Sequence, residues 1–129
     1  MVIDSSALVA IVRGEPESGR FLLAIRAAFP RVVAAPTAIE ASIVMLSKFG
    51  ERGLADLEQL RDETRIEVAP LTSEHVLIAV DAFRRFGKGR HRAALNFGDC
   101  FSYALAKATG EALLCKGDGF DHTDIARTV

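Results

Sequence analysis

The strongest constraint on the fold of this chain is a change of hydrophobic period that recurs along its length. Short apolar runs, too brief for helices, alternate with longer stretches in which apolar residues return every three or four positions. The short runs are Val2-Ile3, Arg31 to Ala35, Ile66 to Ala69 and Ala112 to Cys115. Between them, residues 17–29 place Phe21, Leu22, Ile25, Ala28 and Phe29 on one helical face, and residues 37–49 do the same with Ile39, Ile43 and Leu46. Further stripes are Leu54, Leu57 and Leu60 in residues 53–63, then Val76, Val80 and Phe83 in 74–86, then Phe101, Ala104, Leu105 and Ala108 in 99–109. The punctuation agrees. Asp4 can cap a helix starting at Ser5 or Ser6, Pro36 can open one, Ser73 is an N-cap candidate, and Gly50, Gly87 and Gly110 stand where helices should stop. Short strands alternating with helices specify an α/β fold, a mostly parallel sheet of four or five strands covered on both faces.

At 129 residues the chain is sized for one domain able to bury a core without disulfides. Its net charge of −1 excludes a wholesale polyanion binder, so any electrostatic function must be local. Cys100 and Cys115 lack metal-ligand or redox spacing and read as buried free thiols of a reducing compartment. The opening Met-Val-Ile-Asp has no leader pattern and no run is long enough to span a bilayer, so a cytoplasmic location with no membrane contact is expected.

In parallel sheets, ligands bind beyond the carboxyl ends of the strands. Asp4 follows the first run and Asp118 the last, while Glu40 and Asp99 fall in the first turns of helices. Each has a bland explanation as a cap, a macrodipole partner or a turn residue. Together they are harder to explain so. Glu40 lies in Thr-Ala-Ile-Glu-Ala-Ser-Ile and Asp99 in Leu-Asn-Phe-Gly-Asp-Cys-Phe, apolar settings without a basic neighbour, where a lone buried carboxylate is costly. Gly98 allows close backbone approach beside Asp99. A cation is the missing partner, and hard oxygen donors favour Mg²⁺, with Mn²⁺ as substitute.

Between Asp81 and Asp99 no acid occurs, whereas Arg84, Arg85, Lys88, Arg90 and Arg92 do, with His91 among them. Lys88, Arg90, His91, Arg92 and Asn96 are the candidate substrate contacts, because a cationic rim beside a carboxylate-bound metal suits a phosphodiester. His91 has no orienting carboxylate and reads as a contact residue rather than a general base. His75 and His122 lack zinc-ligand spacing. A second apolar stripe of Ala38, Ala41, Met45 and Phe49 flanks Ile39, Ile43 and Leu46, which predicts a helix shared with a second copy of the chain.

The segments Met-Val-Ile-Asp-Ser-Ser-Ala-Leu-Val-Ala-Ile at 1–11, the Glu40 helix, Gly-Lys-Gly-Arg-His-Arg-Ala-Ala-Leu-Asn-Phe-Gly-Asp-Cys-Phe-Ser-Tyr-Ala-Leu-Ala at 87–106 and Leu-Leu-Cys-Lys-Gly-Asp-Gly-Phe-Asp-His-Thr-Asp-Ile at 113–125 resemble PIN-domain toxins of the VapC type. The likeness spans residues 1–129 as a single PIN-like α/β/α domain. It implies a Mg²⁺-dependent endoribonuclease, the toxin of a VapBC-type toxin–antitoxin module. It also implies a homodimer, a VapB-type antitoxin, and operator DNA reached only through the antitoxin complex. By the resemblance, Asp4, Glu40 and Asp99 are the metal-binding catalytic acids and Ser6 the supporting hydroxyl. The fourth acid is open between Asp118, Asp121 and Asp124, because this chain has Gly119 where relatives often carry an acid. Hydrolysis by water should leave 5′-phosphate and 3′-hydroxyl ends. The rivals are a catalytically silent module that binds antitoxin and operator DNA, and a receiver-like phosphoacceptor using Lys116.

Overall fold

The computed structural model describes residues 1–129. Its strands are β1 (Val2–Ile3), β2 (Val32–Ala34), β3 (Glu67–Ala69) and β4 (Leu113–Leu114). Its helices are α1 (Ser5–Val12), α2 (Ser18–Ala27), α3 (Ala35–Thr64), α4 (Ser73–Phe86) and α5 (Phe97–Thr109). The strands form one sheet in the order β3-β2-β1-β4, all parallel, with Val2 opposite both Val32 and Leu113.

Strand alternation explains how so small a sheet is buried on both sides. Ile3, Val33 and Leu114 point into one core with α1, α2 and α3, including Leu8, Phe21, Ile25 and Leu57. Their neighbours Val2, Ala34 and Leu113 point into the other, with Ala82 of α4 and Tyr103 and Leu105 of α5. Complete burial of side chains such as Phe21 and Ile25 stabilises by roughly 1.5–3 kcal/mol each. The α/β/α sandwich expected from the periodicity is therefore present.

Three local expectations are corrected. The stripe Ile39, Ile43, Leu46 does not face the core: these residues are 40–60% exposed, and Ala38, Ala41 and Met45 are buried instead. Small side chains let α3 approach α1 closely, so they, and not the bulkier isoleucines, take the inner face. On α4 the stripe Val76, Val80, Phe83 likewise faces outward, because Ile78, Ala79, Ala82 and Phe86 pack inward. With Leu71, Phe97 and Phe101 the outer stripe lines an open apolar groove of about 520 Å³. Phe29, expected on the inner face of α2, lies beyond the helix end and is 92% exposed.

Helix boundaries follow their caps. Thr72, and not Ser73, caps α4, with its N–H donating to Nδ1 of His75 at 3.0 Å. Gly50 stops the first arm of α3 as expected, but a second helical arm continues directly from it. Its φ of 67° and ψ of −160° lie in a region open essentially to glycine alone.

Candidate active site

Asp4 ends β1 and begins α1. Its extended backbone (φ −82°, ψ 157°) turns the chain off the sheet, and Oδ2 accepts from the Ser6 amide at 3.0 Å and the Ser6 hydroxyl at 2.6 Å. Oδ1 accepts from Ser102 Oγ at 2.6 Å, so the same carboxylate is a helix cap on one side and part of the acidic corner on the other. Asp4 is only 3% exposed. Ser6 Oγ in turn accepts from the Lys116 amide at 3.0 Å, tying the end of β1 to the chain leaving β4. Ser6 thus contacts Asp4 through both its amide and its hydroxyl.

Glu40 sits in the second turn of α3, not the first as expected, because β2 runs directly into the helix at Ala35. Its Oε1 accepts from Ser5 Oγ at 2.6 Å. Gly98 packs on the same carboxylate, and a Cβ at that position would run into it. Asp99 is the third residue of α5. It exchanges hydrogen bonds with Asn96: the Asn96 amide donates to Asp99 Oδ2 and the Asp99 amide to Asn96 Oδ1, both at 2.9 Å. Asn96 is thereby a positioner of Asp99.

The three acids share one electrostatic environment. Burial pushes the Asp99 carboxyl up to about 6; the Asn96 amide opposes this, and the charges of Asp4 and Glu40 add to it. None of the chain's ion pairs involves Asp4, Glu40 or Asp99. Their side chains do not close into a preformed cage, since no three acidic, histidine or cysteine groups converge as a ligand set. Hard oxygen donors, burial and no protein cation nonetheless fit a small divalent ion better than any internal partner.

The other aspartates differ. Asp121 pairs with Arg127 at 2.8 Å. Asp124 accepts from Tyr103 at 2.6 Å and Lys107 at 2.8 Å; burial alone would raise its carboxyl, but these bonds hold it down to about 2. Asp118 is exposed, carries no ion pair, and precedes a short 3₁₀ turn at Gly119–His122. At Gly119 a Cβ would meet the Ala93 carbonyl at 3.0 Å, a steric reason for glycine there. Lys116 is held by Glu15 and Glu17, which removes it from the receiver-like role.

The basic segment is a closed turn. Lys88 N–H donates to the Leu95 carbonyl and Leu95 N–H to the Phe86 carbonyl, both at 2.9 Å. Lys88, Arg90 and Arg92 are exposed and belong to no ion pair. His91 is fixed: its Nδ1 accepts from the Ala93 amide at 3.1 Å, and its ring meets Phe86 edge-on at 5.2 Å.

Sequence reasoning missed Ser5, Thr37 and Ser102 as parts of the site. The signal was spacing: Thr37 stands three residues before Glu40 and Ser102 three after Asp99, one helical turn in each case. A hydroxyl one turn from a buried acid shares its face.

The sheet, its helical layers and the acidic corner correspond to a known class: the PIN-domain family model matches residues 1–126. VapC ribonuclease Mb0640 of Mycobacterium bovis is 44% identical over 126 residues, covering 98% of this chain and 96% of its own length. Ribonuclease VapC of Mycolicibacterium smegmatis is also 44% identical, covering 98% of each. The chain belongs to the VapC ribonuclease family of PIN-domain proteins. The crystal structure of VapC20 of Mycobacterium tuberculosis, described as a sarcin-ricin loop cleaving toxin, shares the fold with a TM-score of 0.78 at 16% identity, over 98% of this chain and 97% of that one.

Proposed function

We propose that this chain is a Mg²⁺-dependent endoribonuclease, the cytoplasmic toxin of a VapBC-type toxin–antitoxin module. The observation that carries this reading is an acidic corner with Asp4 buried, Glu40 and Asp99 half-buried and no protein counter-ion, in a chain whose relatives are named ribonucleases. Asp4 and Asp99 would hold the ion, with Glu40 beside them and Asp118 as the remaining unpaired acid. A bound Mg²⁺ supplies Lewis-acid charge stabilisation and a nucleophilic water at neutral pH. The chain's own part is positional. Asn96 sets Asp99, Ser6 and Ser102 set Asp4, and Ser5 with Gly98 sets Glu40. Lys88, Arg90 and Arg92 offer free cations to the RNA backbone, and the exposed Asn96 side chain stands at the same rim.

Two apolar surfaces support protein partners. The exposed Ile39, Ile43 and Leu46 on α3 suit a homodimer. The groove between α4 and α5 reaches Cys100, next to Asp99, and suits a VapB-type antitoxin, through which operator DNA would be bound. No helix is long and apolar enough to cross a membrane.

The test is cleavage of total bacterial RNA by antitoxin-free protein, with Mg²⁺, with EDTA, and with Asp4→Asn. Discrete Mg²⁺-dependent fragments bearing 5′-phosphates, lost in both controls, are expected. Folded, metal-loaded protein that cuts nothing would favour the binding-only module, and 2′,3′-cyclic phosphate ends would refute hydrolysis by water.

A further inference from the structure

Ser102 lies in the middle of α5, fully buried, in a segment otherwise built of Tyr103, Ala104, Leu105 and Ala106. A hydroxyl in such surroundings needs partners. Its environment supplies two. Ser102 Oγ is 2.6 Å from Asp4 Oδ1 and 3.4 Å from Thr37 Oγ1, which is 1% exposed. The directions can be assigned from chemistry. An ionised carboxylate only accepts, so the single Ser102 proton goes to Asp4, and at the longer contact Thr37 must donate to Ser102. The result is a one-way chain from Thr37 on α3, through Ser102 on α5, to Asp4 at the end of β1.

The lone pairs of Asp4 show what this chain controls. A carboxylate offers about four acceptor sites. Oδ2 takes the Ser6 amide and the Ser6 hydroxyl, and Oδ1 takes Ser102. One site on Oδ1 stays unengaged. The two oxygens turn together about the last side-chain bond; Ser6 bonds only Oδ2, and Ser102 adds the second anchor, on the opposite oxygen, that narrows this rotation to one setting.

We propose that Ser102, oriented by Thr37, is a positioning residue that fixes the rotation of the Asp4 carboxylate and keeps its last free lone pair available to an incoming cation. The inference rests on the metal-nuclease reading for its function, but its geometric content stands apart from it. Outer-shell partners of this kind set metal affinity by tenfold to a hundredfold.

The experiment is Mn²⁺ titration, followed by calorimetry, of the full chain, Ser102→Ala, Ser102→Cys, Thr37→Val and Thr37→Ser. Thermal unfolding is measured alongside, and crystal structures of metal-free parent and Ser102→Ala are compared. Ser102→Cys nearly keeps the volume but donates poorly, and Thr37→Val keeps the shape without the hydroxyl. Both Ser102 variants should bind Mn²⁺ at least about tenfold more weakly while still unfolding cooperatively. Thr37→Val should lose less, and Thr37→Ser should restore parental binding. In the metal-free crystals the Asp4 carboxylate should be turned in Ser102→Ala relative to the parent. Folded Ser102 variants that bind within twofold of the parent, or an unchanged Asp4 rotamer, overturn the proposal. Should the parent itself bind no Mn²⁺, the metal reading fails, and the crystal comparison still decides what Ser102 does.

Discussion

Two aspartates set at different points along α5, Asp99 in its first turn and Asp124 against Tyr103 and Lys107 farther on, receive opposite treatment. Asp124 is enclosed by Tyr103, Lys107 and Arg85 and is held ionised to about pH 2. Asp99 is half-buried with no cation, and burial first, then the charges of Asp4 and Glu40, push its carboxyl up to about 6. The first corner carries its own counter-ions and locks the C-terminal segment onto α5. The second is left short of positive charge. In one small fold, the presence or absence of a lysine or arginine separates a carboxylate held ionised from one whose charge is left uncompensated.

The comparison is broken most sharply by neutralising each side. Asp99→Asn should reduce RNA cleavage at least about 100-fold, since metal-supplied charge stabilisation is worth several kcal/mol. The metal-free variant should be as stable as the parent or more so, and equal cleavage rates would sink the assignment. Gly98→Ala comes next. Its methyl displaces the Glu40 carboxylate, a movable side-chain end, so cleavage should fall about tenfold with little change in urea midpoint. A variant that loses stability but not rate would show that Gly98 serves packing alone.

Asp124→Asn should behave in the opposite way, costing about 1 kcal/mol of stability in urea unfolding and leaving cleavage intact. The smallest effect is on pH dependence. Asp99 has a folded-state value above the ordinary 3.8, so its contribution to stability is full below about pH 4 and is lost as pH rises through about 6. Asp124, with its lowered value, contributes above 3.8 and loses this only as pH falls through about 2, so it is constant across that window. The melting temperature of metal-free protein should therefore drop by roughly a few degrees between pH 4 and 6, and Mg²⁺ should restore it above pH 6. A flat profile in the metal-free parent, or a drop that persists in Asp99→Asn, would count against an uncompensated charge at Asp99.

The layered fold was legible because strand and helix periods differ, and every predicted strand run contains an observed strand. Gly50 and Asp4 were legible for the same kind of reason, since a backbone stop and a cap leave local marks. The inner faces of α3 and α4 were not. Hydrophobicity alone favours isoleucine, valine and phenylalanine for the core, but helix spacing favoured alanine, and spacing is a tertiary property. The acids were legible as outliers in apolar surroundings. The hydroxyls that aim them were not, because a serine or threonine in a helix is ordinary until its neighbour across the core is known.

The turn from Gly87 to Leu95 pairs with no strand of the sheet and is closed on itself by the Gly87–Leu95 bridge and its flanking backbone bonds, while Ala93 and Leu95 are buried in the core beside α5. Asn96 then starts α5 afresh with its own reciprocal cap. The exposed tip at 88–90 is thus a cassette. It can be shortened, extended or exchanged in a library while the first turn of α5 keeps its place, so the charge on this surface can be varied independently of the cap that orients Asp99.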